Sequence, residues 1–292
     1  MSGPRSFLIM PANRADMLTK SPSYGADALV FDLEDSVPVA EKPKARELAR
    51  EFIGKLGAAN SIYVRINAVS TGMLRDDLEA VTMHGLVGVR LPKTESAGEI
   101  RTVDAMLTEL EQQRGLAPGA IGISPSLESA RGVWFAYEIA SASPRIRSMM
   151  VGTAQDGDLQ TDLGYAWTAA GNEVLYARSR VLLASRAAGV EHLLDGAYSN
   201  VRDPEGLRIC CEAARKLGYR GKSAIHPNQI ATINQVFAPT AQELDYYRRV
   251  IEAFDQAVAR GSAATTVDGK LVDYAMVGMA KRVLAWSQSL TK

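Results

Sequence analysis

Short apolar runs recur along this chain at a regular pitch. They are SFLIM at 6–10, ADALVFDLED at 26–35, SIYVRIN at 61–67, GLVGVRLPK at 85–93, AIGISPSLES at 120–129, IRSMMVG at 146–152, HLLDGAY at 192–198 and KSAIHP at 222–227. Most end in Gly, Pro or a polar residue, as strands buried on both faces of a parallel sheet do. Between them, residues 41–56, 99–114, 129–142, 173–188 and 204–217 carry apolar side chains on a helical period with charges opposite. Strand–helix alternation of this kind specifies an α/β fold with a parallel sheet. Eight repeats within about 230 residues favour a closed (β/α)8 TIM barrel over a doubly wound sheet. The dinucleotide-binding alternative needs GxGxxG after the first strand, and PANRAD stands there instead.

The tail breaks the pattern. Residues 240–260 read as one long amphipathic helix, GSAATTVDGKLVDYA as a loop, and 274–288 as a last helix. We therefore expect a catalytic barrel over 1–238 and a C-terminal helical extension over 239–292. The extension either caps the barrel or completes a neighbouring subunit's site.

Charge narrows the function classes. The 33 basic and 33 acidic residues cancel, and there is no long basic run to read as a nucleic-acid footprint. No apolar run approaches the roughly 18 residues of a membrane span. The apolar patch near the N-terminus is too short for a secretory signal, which points to a cytoplasmic protein. Adjacent Cys210 and Cys211, the two cysteines of the chain, read as reduced thiols in a helix.

In a parallel barrel the active site lies at the C-terminal ends of the strands. Side chains alternate faces along a strand. In ALVFDLED, Leu29, Phe31 and Leu33 face the helices, while Ala28, Val30, Asp32 and Glu34 face the barrel interior and its mouth, with Asp35 beside them. In SIYVRIN, Tyr63, Arg65 and Asn67 face inward. Arg65 is then either a structural partner of Asp32 or Glu34, or a fork for a substrate carboxylate or enolate oxygen. In AIGISPSLES the inner face is Gly122, Ser124, Ser126 and Glu128, small and polar, ending in an acid. Asp156, Asp158 and Asp162 follow in GTAQDGDLQTDLG. By the same alternation Arg90 and Pro92 point inward and Lys93 away. His84, His192 and His226 are scattered, so a metal held here takes carboxylate oxygens and water. That ligand set suits Mg2+ or Mn2+, not zinc.

The ordered series RSFLIMPANR, DALVFDLEDSVPVAEKPKAR, VRIN, LPK, LESARG, GDLQTDLG and GYRGKSAIHPNQI resembles the citrate lyase β-subunit/malyl-CoA lyase family of the HpcH/HpaI aldolase superfamily, citramalyl-CoA lyases included. The match runs from about residue 5 to the end. The resemblance implies a (β/α)8 barrel in a homotrimer or hexamer. It also implies Mg2+ (with Mn2+ as an alternative) held by Glu128 and Asp158. Arg65 contacts the substrate carboxyl and carbonyl, and Asp32 and Glu34 organise the arginine and the metal waters. Asp273 is donated to a neighbouring subunit. Arg14 and Lys20, with the segment Ile225, His226 and Pro227, contact coenzyme A. Three departures stand out: Ala12 replaces the usual Gly, Asp156 competes with Asp158, and no Pro follows Asp273.

The expected activity is retro-Claisen or retro-aldol cleavage of a 3-hydroxyacyl-CoA ester, with thioester hydrolysis following in some members. Three alternatives stay open. One is a β-subunit working on an acyl-carrier-protein thioester inside a complex. Another is a metal-dependent aldolase on free keto acids. The last is a Schiff-base aldolase through Lys93.

Overall fold

The computed structural model describes residues 3–290. A (β/α)8 barrel is formed by β1 (Ser6–Pro11), β2 (Ala28–Asp32), β3 (Ile62–Arg65), β4 (Leu86–Leu91), β5 (Gly122–Leu127), β6 (Ser148–Val151), β7 (His192–Asp195) and β8 (Gly221–Ala224). The strands are parallel, follow chain order, and close where β8 pairs with β1. Each overlaps one of the expected runs.

Alternation divides the apolar residues as expected. Leu29, Phe31 and Leu33 belong to the large core between strands and helices. Ala28 and Val30 join Phe7, Met150 and Leu194 in a small cluster that fills the barrel. Outside run the helices Lys42–Leu56, Leu74–Val81, Ala97–Gln113, Leu175–Ala187, Pro204–Leu217 and Ile230–Phe237. The helix Ala97–Gln113 begins on a capping box in which Ser96 and Glu99 satisfy each other's backbone N–H groups. The stretch 129–142 is not one helix. It divides into Ala130–Trp134 and Ala136–Ala140 at Phe135, whose ψ of 22° leaves the helical region. Cys210 and Cys211 are free and buried in the helix Pro204–Leu217.

Residues Arg5–Phe237 form one compact unit, and the chain from Ala238 onward belongs to a second. The second unit contains the helix Ala241–Ala259, capped by Thr240 and Glu243, and the helix Tyr274–Ser289. Between them the expected loop is a β-hairpin, β9 (Thr265–Val267) with β10 (Lys270–Val272). Its turn is Asp268–Gly269, with φ of +50° and +75°, the Asp-Gly pair that tight hairpins favour. The alternation of TTV and KLV was too short to reveal the strands, but Asp-Gly was a signal for the turn. Val250, Phe254, Val267, Val272, Val277 and Ala280 make this unit's own core. Among the described residues, no helix is long and apolar enough to cross a membrane.

Candidate active site

The register sets Asp32 beside Arg65 and Arg65 beside Arg90, so three inward side chains meet at one level of the barrel. Asp32 is fully buried. Its Oδ1 accepts from Arg65 Nε at 2.7 Å and from the Glu34 amide at 2.9 Å. Its Oδ2 accepts from Arg65 Nη2 at 2.6 Å, from the Ser36 amide at 3.1 Å, and from the Ser36 hydroxyl. Burial alone would raise this carboxyl's pKa, but the Arg65 guanidinium outweighs it and holds the pKa below the usual value. The remaining Arg65 nitrogen, Nη1, lies 2.9 Å from Glu34 Oε2. Both partners raised for Arg65 by the sequence are therefore present, and Arg65 still lines the cavity. The inner neighbour, Arg90, is buried below, where its guanidinium meets Ser223 at 3.2 Å and the Phe7 ring at 5.5 Å. Burial, then repulsion from Arg65, pulls its pKa down to about 10.

The cavity over this layer has a volume of about 410 Å3. Arg65, Glu128, Gly152, Asp158, Gly196 and Ile225 are among its lining residues. Glu128 follows β5. Burial, and then the negative charge of Glu34, push its pKa up to about 7, against the pull of Arg65; Asp158 adds to the rise. Gly152, directly after β6, makes room for it: a Cβ there would come within 2.6 Å of Glu128 Cγ. Asp158 opens the helix Asp158–Leu163 and is half exposed. Asp156 has a φ of +57° and does not line the cavity. Asp162 accepts from the Ala130 amide at 2.6 Å, tying its helix to the start of the helix Ala130–Trp134.

Lys93 departs from the parity expectation. Strand β4 ends at Leu91, and Lys93 itself adopts a φ of +49°, which turns its side chain back over the mouth. Its Nζ lies 2.9 Å from Glu34 Oε1, 3.1 Å from Asp35 Oδ1 and 3.8 Å from Asp158 Oδ2.

Among the described residues, no group of three or more His, Cys, Asp or Glu side chains forms a ready-made metal cage. Mg2+ does not need one, since it commonly keeps several waters and takes only one or two carboxylates. Glu128 and Asp158, which line the same cavity, meet that requirement. The buried Glu34 Oε2 beside them makes no well-aligned hydrogen bond. A donor set of carboxylate oxygens fits a hard divalent cation.

The residues expected to meet coenzyme A are spread more widely. Ile225 lines the cavity, and its amide donates to Gln229 Oε1 at 2.9 Å. His226 caps the short helix Pro227–Gln229 by accepting from the Asn228 amide. Arg14 pairs with Asp16 on the surface, and Lys20 is exposed at the end of the helix Ala15–Lys20; neither lines the cavity. Asp273 lies in the second unit, where its Oδ1 accepts from the amides of Ala275 and Met276 and so caps the last helix.

The family model for HpcH/HpaI aldolase/citrate lyase matches residues 5–227. The chain belongs to this family. It is 36% identical to the citrate lyase subunit beta of Leuconostoc mesenteroides subsp. cremoris, over 96% of this chain and 92% of that one. It is 33% identical to a (3S)-malyl-CoA thioesterase of Cereibacter sphaeroides, over 98% and 95%. Among solved structures it resembles the protein CitE of Mycobacterium tuberculosis in complex with magnesium, acetoacetate and coenzyme A, with a TM-score of 0.74 and 30% identity over 98% of each chain.

Three features of the site escaped the sequence reading. Lys42, from the helix after β2, is buried with its ammonium on the carbonyls of Leu33 and Glu34 and on Asn67 Oδ1, and so fixes the strand end that carries the acids. Asp77 then holds Asn67, accepting from its amide and side chain at 2.7 Å. Under the β6–β8 side, Asp195 is fully buried between Lys222 Nζ at 2.5 Å and Arg178 Nε at 3.1 Å, and accepts from Thr153 Oγ1 at 2.8 Å. Lone charged residues in apolar runs, Asp195 in HLLDG and Lys222 in GKSA, were the available signal. Gly152 and Gly196, each just past a strand, were another: a Cβ at Gly196 would fall 2.5 Å from the Thr153 amide nitrogen.

Proposed function

We propose that this chain is a cytoplasmic, Mg2+-dependent carbon–carbon lyase. It cleaves a 3-hydroxyacyl-CoA ester of the citryl-, malyl- or citramalyl-CoA type to acetyl-CoA and a keto acid. The observation that carries this reading is one cavity lined by Arg65, immobilised by Asp32, and by Glu128 and Asp158. The names of the relatives and the magnesium and coenzyme A in the CitE complex support it.

Glu128 and Asp158 hold the metal in this reading. When bound, the ion supplies Lewis acidity to a substrate oxygen. Arg65 pairs with the substrate carboxylate and steadies negative charge in a confined mouth. A general base takes the proton of the substrate hydroxyl, and that oxygen becomes the carbonyl of the keto acid. The adjacent carbon–carbon bond breaks, and its electron pair passes to the thioester enolate. Asp273 of a neighbouring subunit, in a homotrimer or hexamer, protonates that carbon to give acetyl-CoA. Arg14, Lys20, Ile225, His226 and Pro227 contact the coenzyme A portion.

A second reading, favoured by the citrate lyase subunit beta relatives, makes the chain one subunit of a complex whose substrate arrives on an acyl-carrier protein. A cleavage assay separates them. Purified protein is given malyl-, citramalyl-, methylmalyl- and citryl-CoA, with Mg2+ and with EDTA, and products are followed by mass spectrometry. EDTA-sensitive release of acetyl-CoA, or propionyl-CoA from the methylmalyl ester, is expected. Free coenzyme A with an intact hydroxy acid would mean hydrolysis instead. No product from any ester would favour the carrier-protein reading.

A further inference from the structure

The mouth of the barrel carries more negative charge than it neutralises. Asp32, Glu34, Asp35, Glu128 and Asp158 face three cations, Arg65, Lys93 and the fully buried Arg90. Arg65 is committed to the fully buried Asp32 and to Glu34. Lys93 is committed to the remaining acids: its Nζ spans Glu34, Asp35 and Asp158, and its amide points at Glu128 Oε2 from 3.3 Å. One residue thus touches both carboxylates assigned to the metal and both acids next to them.

Two observations argue against an ordinary surface ion pair. Lys93 is one of three non-glycine residues with positive φ among the described residues, a conformation that L side chains avoid. Had β4 continued, alternation would have sent this side chain away from the mouth. The backbone departs from its preference at the one position where doing so brings an ammonium to the acids. A flexible, four-carbon stem then lets that ammonium withdraw without moving the strand.

Resting on the reading that Glu128 and Asp158 hold a divalent ion, we propose that Lys93 is a resident counter-cation of the metal site. Its ammonium occupies the acid cluster when the ion is absent and opposes the ion's entry, and so sets the metal affinity. Lys93 is then neither a Schiff-base lysine nor a metal ligand. Its effect on chemistry passes through the occupancy of the site.

The test is metal binding itself, by calorimetry with Mg2+ and by electron paramagnetic resonance of free Mn2+, on the full chain. Lys93→Gly removes the ammonium and suits the positive φ, so loss of folding is not expected. Lys93→Arg keeps the charge. Lys93→Gly should bind both ions at least about tenfold more tightly, as expected when a unit charge is removed a few ångström from the site. Lys93→Arg should stay within about twofold of the parent, because the same Coulombic opposition persists. Melting temperature gives a second readout: the gain on adding Mg2+ should be larger in Lys93→Gly than in the parent. If the parent binds Mg2+, Glu128→Gln abolishes it, and Lys93→Gly binds equally or more weakly, the counter-cation role is wrong while the metal site stands. If the parent binds neither ion, the metal reading and this proposal both fall.

Discussion

A carboxylate that accepts five hydrogen bonds has little capacity left to act as a base, and Asp32 is in that position. Its role is to fix Arg65. The carboxylates with capacity to spare are Glu128 and Asp158. Glu128→Gln and Asp158→Asn keep shape and lose charge. Each should abolish Mg2+ binding by calorimetry and cleavage in the assay, while far-UV circular dichroism stays unchanged. Normal activity in either variant would rule out the metal assignment. Asp195 makes a different kind of prediction. Burial would raise its carboxyl, but Lys222 and Arg178 outweigh burial and hold its pKa at about 2. An unfolded aspartate titrates near 3.9. The folded pKa is the lower one, so this stabilisation is present above about pH 4 and is lost as pH falls toward 2, amounting to about 2–3 kcal/mol. Asp195→Asn should cost about 3–5 kcal/mol at neutral pH, because it leaves two buried cations uncompensated. It should also remove part of the pH dependence of the urea midpoint between pH 4 and 2. The sequence showed which residues face the mouth of a strand, because alternation is a local property. It did not show Lys93 or Lys42, whose placement depends on where a strand stops and on a helix packing back across it.

At the scale of elements, the residues that follow β5 and β6 line the cavity together. Glu128 directly follows the first strand and Gly152 the second. Gly152 has no need of an unusual φ, so its requirement is space alone. Gly152→Ala should force Glu128 off its position at a stability cost of about 1–3 kcal/mol, typical of overpacking. Mg2+ affinity and kcat should fall by at least about tenfold, since misplacing a catalytic group by an ångström costs more than its packing. Calorimetry and initial rates on the variant check this, and unchanged metal affinity would mean that Glu128 relaxes elsewhere. The strands were legible because each is a short apolar run closed by a breaker, and the longer helices because their period extends over several turns. The eight-residue helices Leu74–Val81 and Ile230–Phe237 span barely two turns, too few for a period to emerge. The hairpin β9–β10 has three-residue strands, and alternation over three residues is indistinguishable from chance.

At the scale of the molecule, the question is what the second unit does for catalysis. Asp273 already has a structural duty as the cap of the helix Tyr274–Ser289, which by itself accounts for an aspartate at that position. Substitution can separate that duty from an acid–base one. Asparagine caps about as well as aspartate but cannot carry a proton between heavy atoms, whereas alanine does neither. If Asp273 protonates the enolate, Asp273→Asn should keep its melting temperature and lose kcat by about 100-fold or more, within the range for a general acid. Asp273→Ala should in addition lose about 1 kcal/mol of stability. If the acid comes from a neighbouring subunit, a further result follows. Arg65→Met lacks the barrel-side cation and Asp273→Asn lacks the tail-side acid, so each is inactive as a homo-oligomer. Dissociated, mixed and reassembled, the two form some sites with an intact Arg65 from one chain and an intact Asp273 from the other. Activity should then return in the mixture. Such a return is impossible if both groups of a site come from the same chain, because every site in the mixture would then lack one of them.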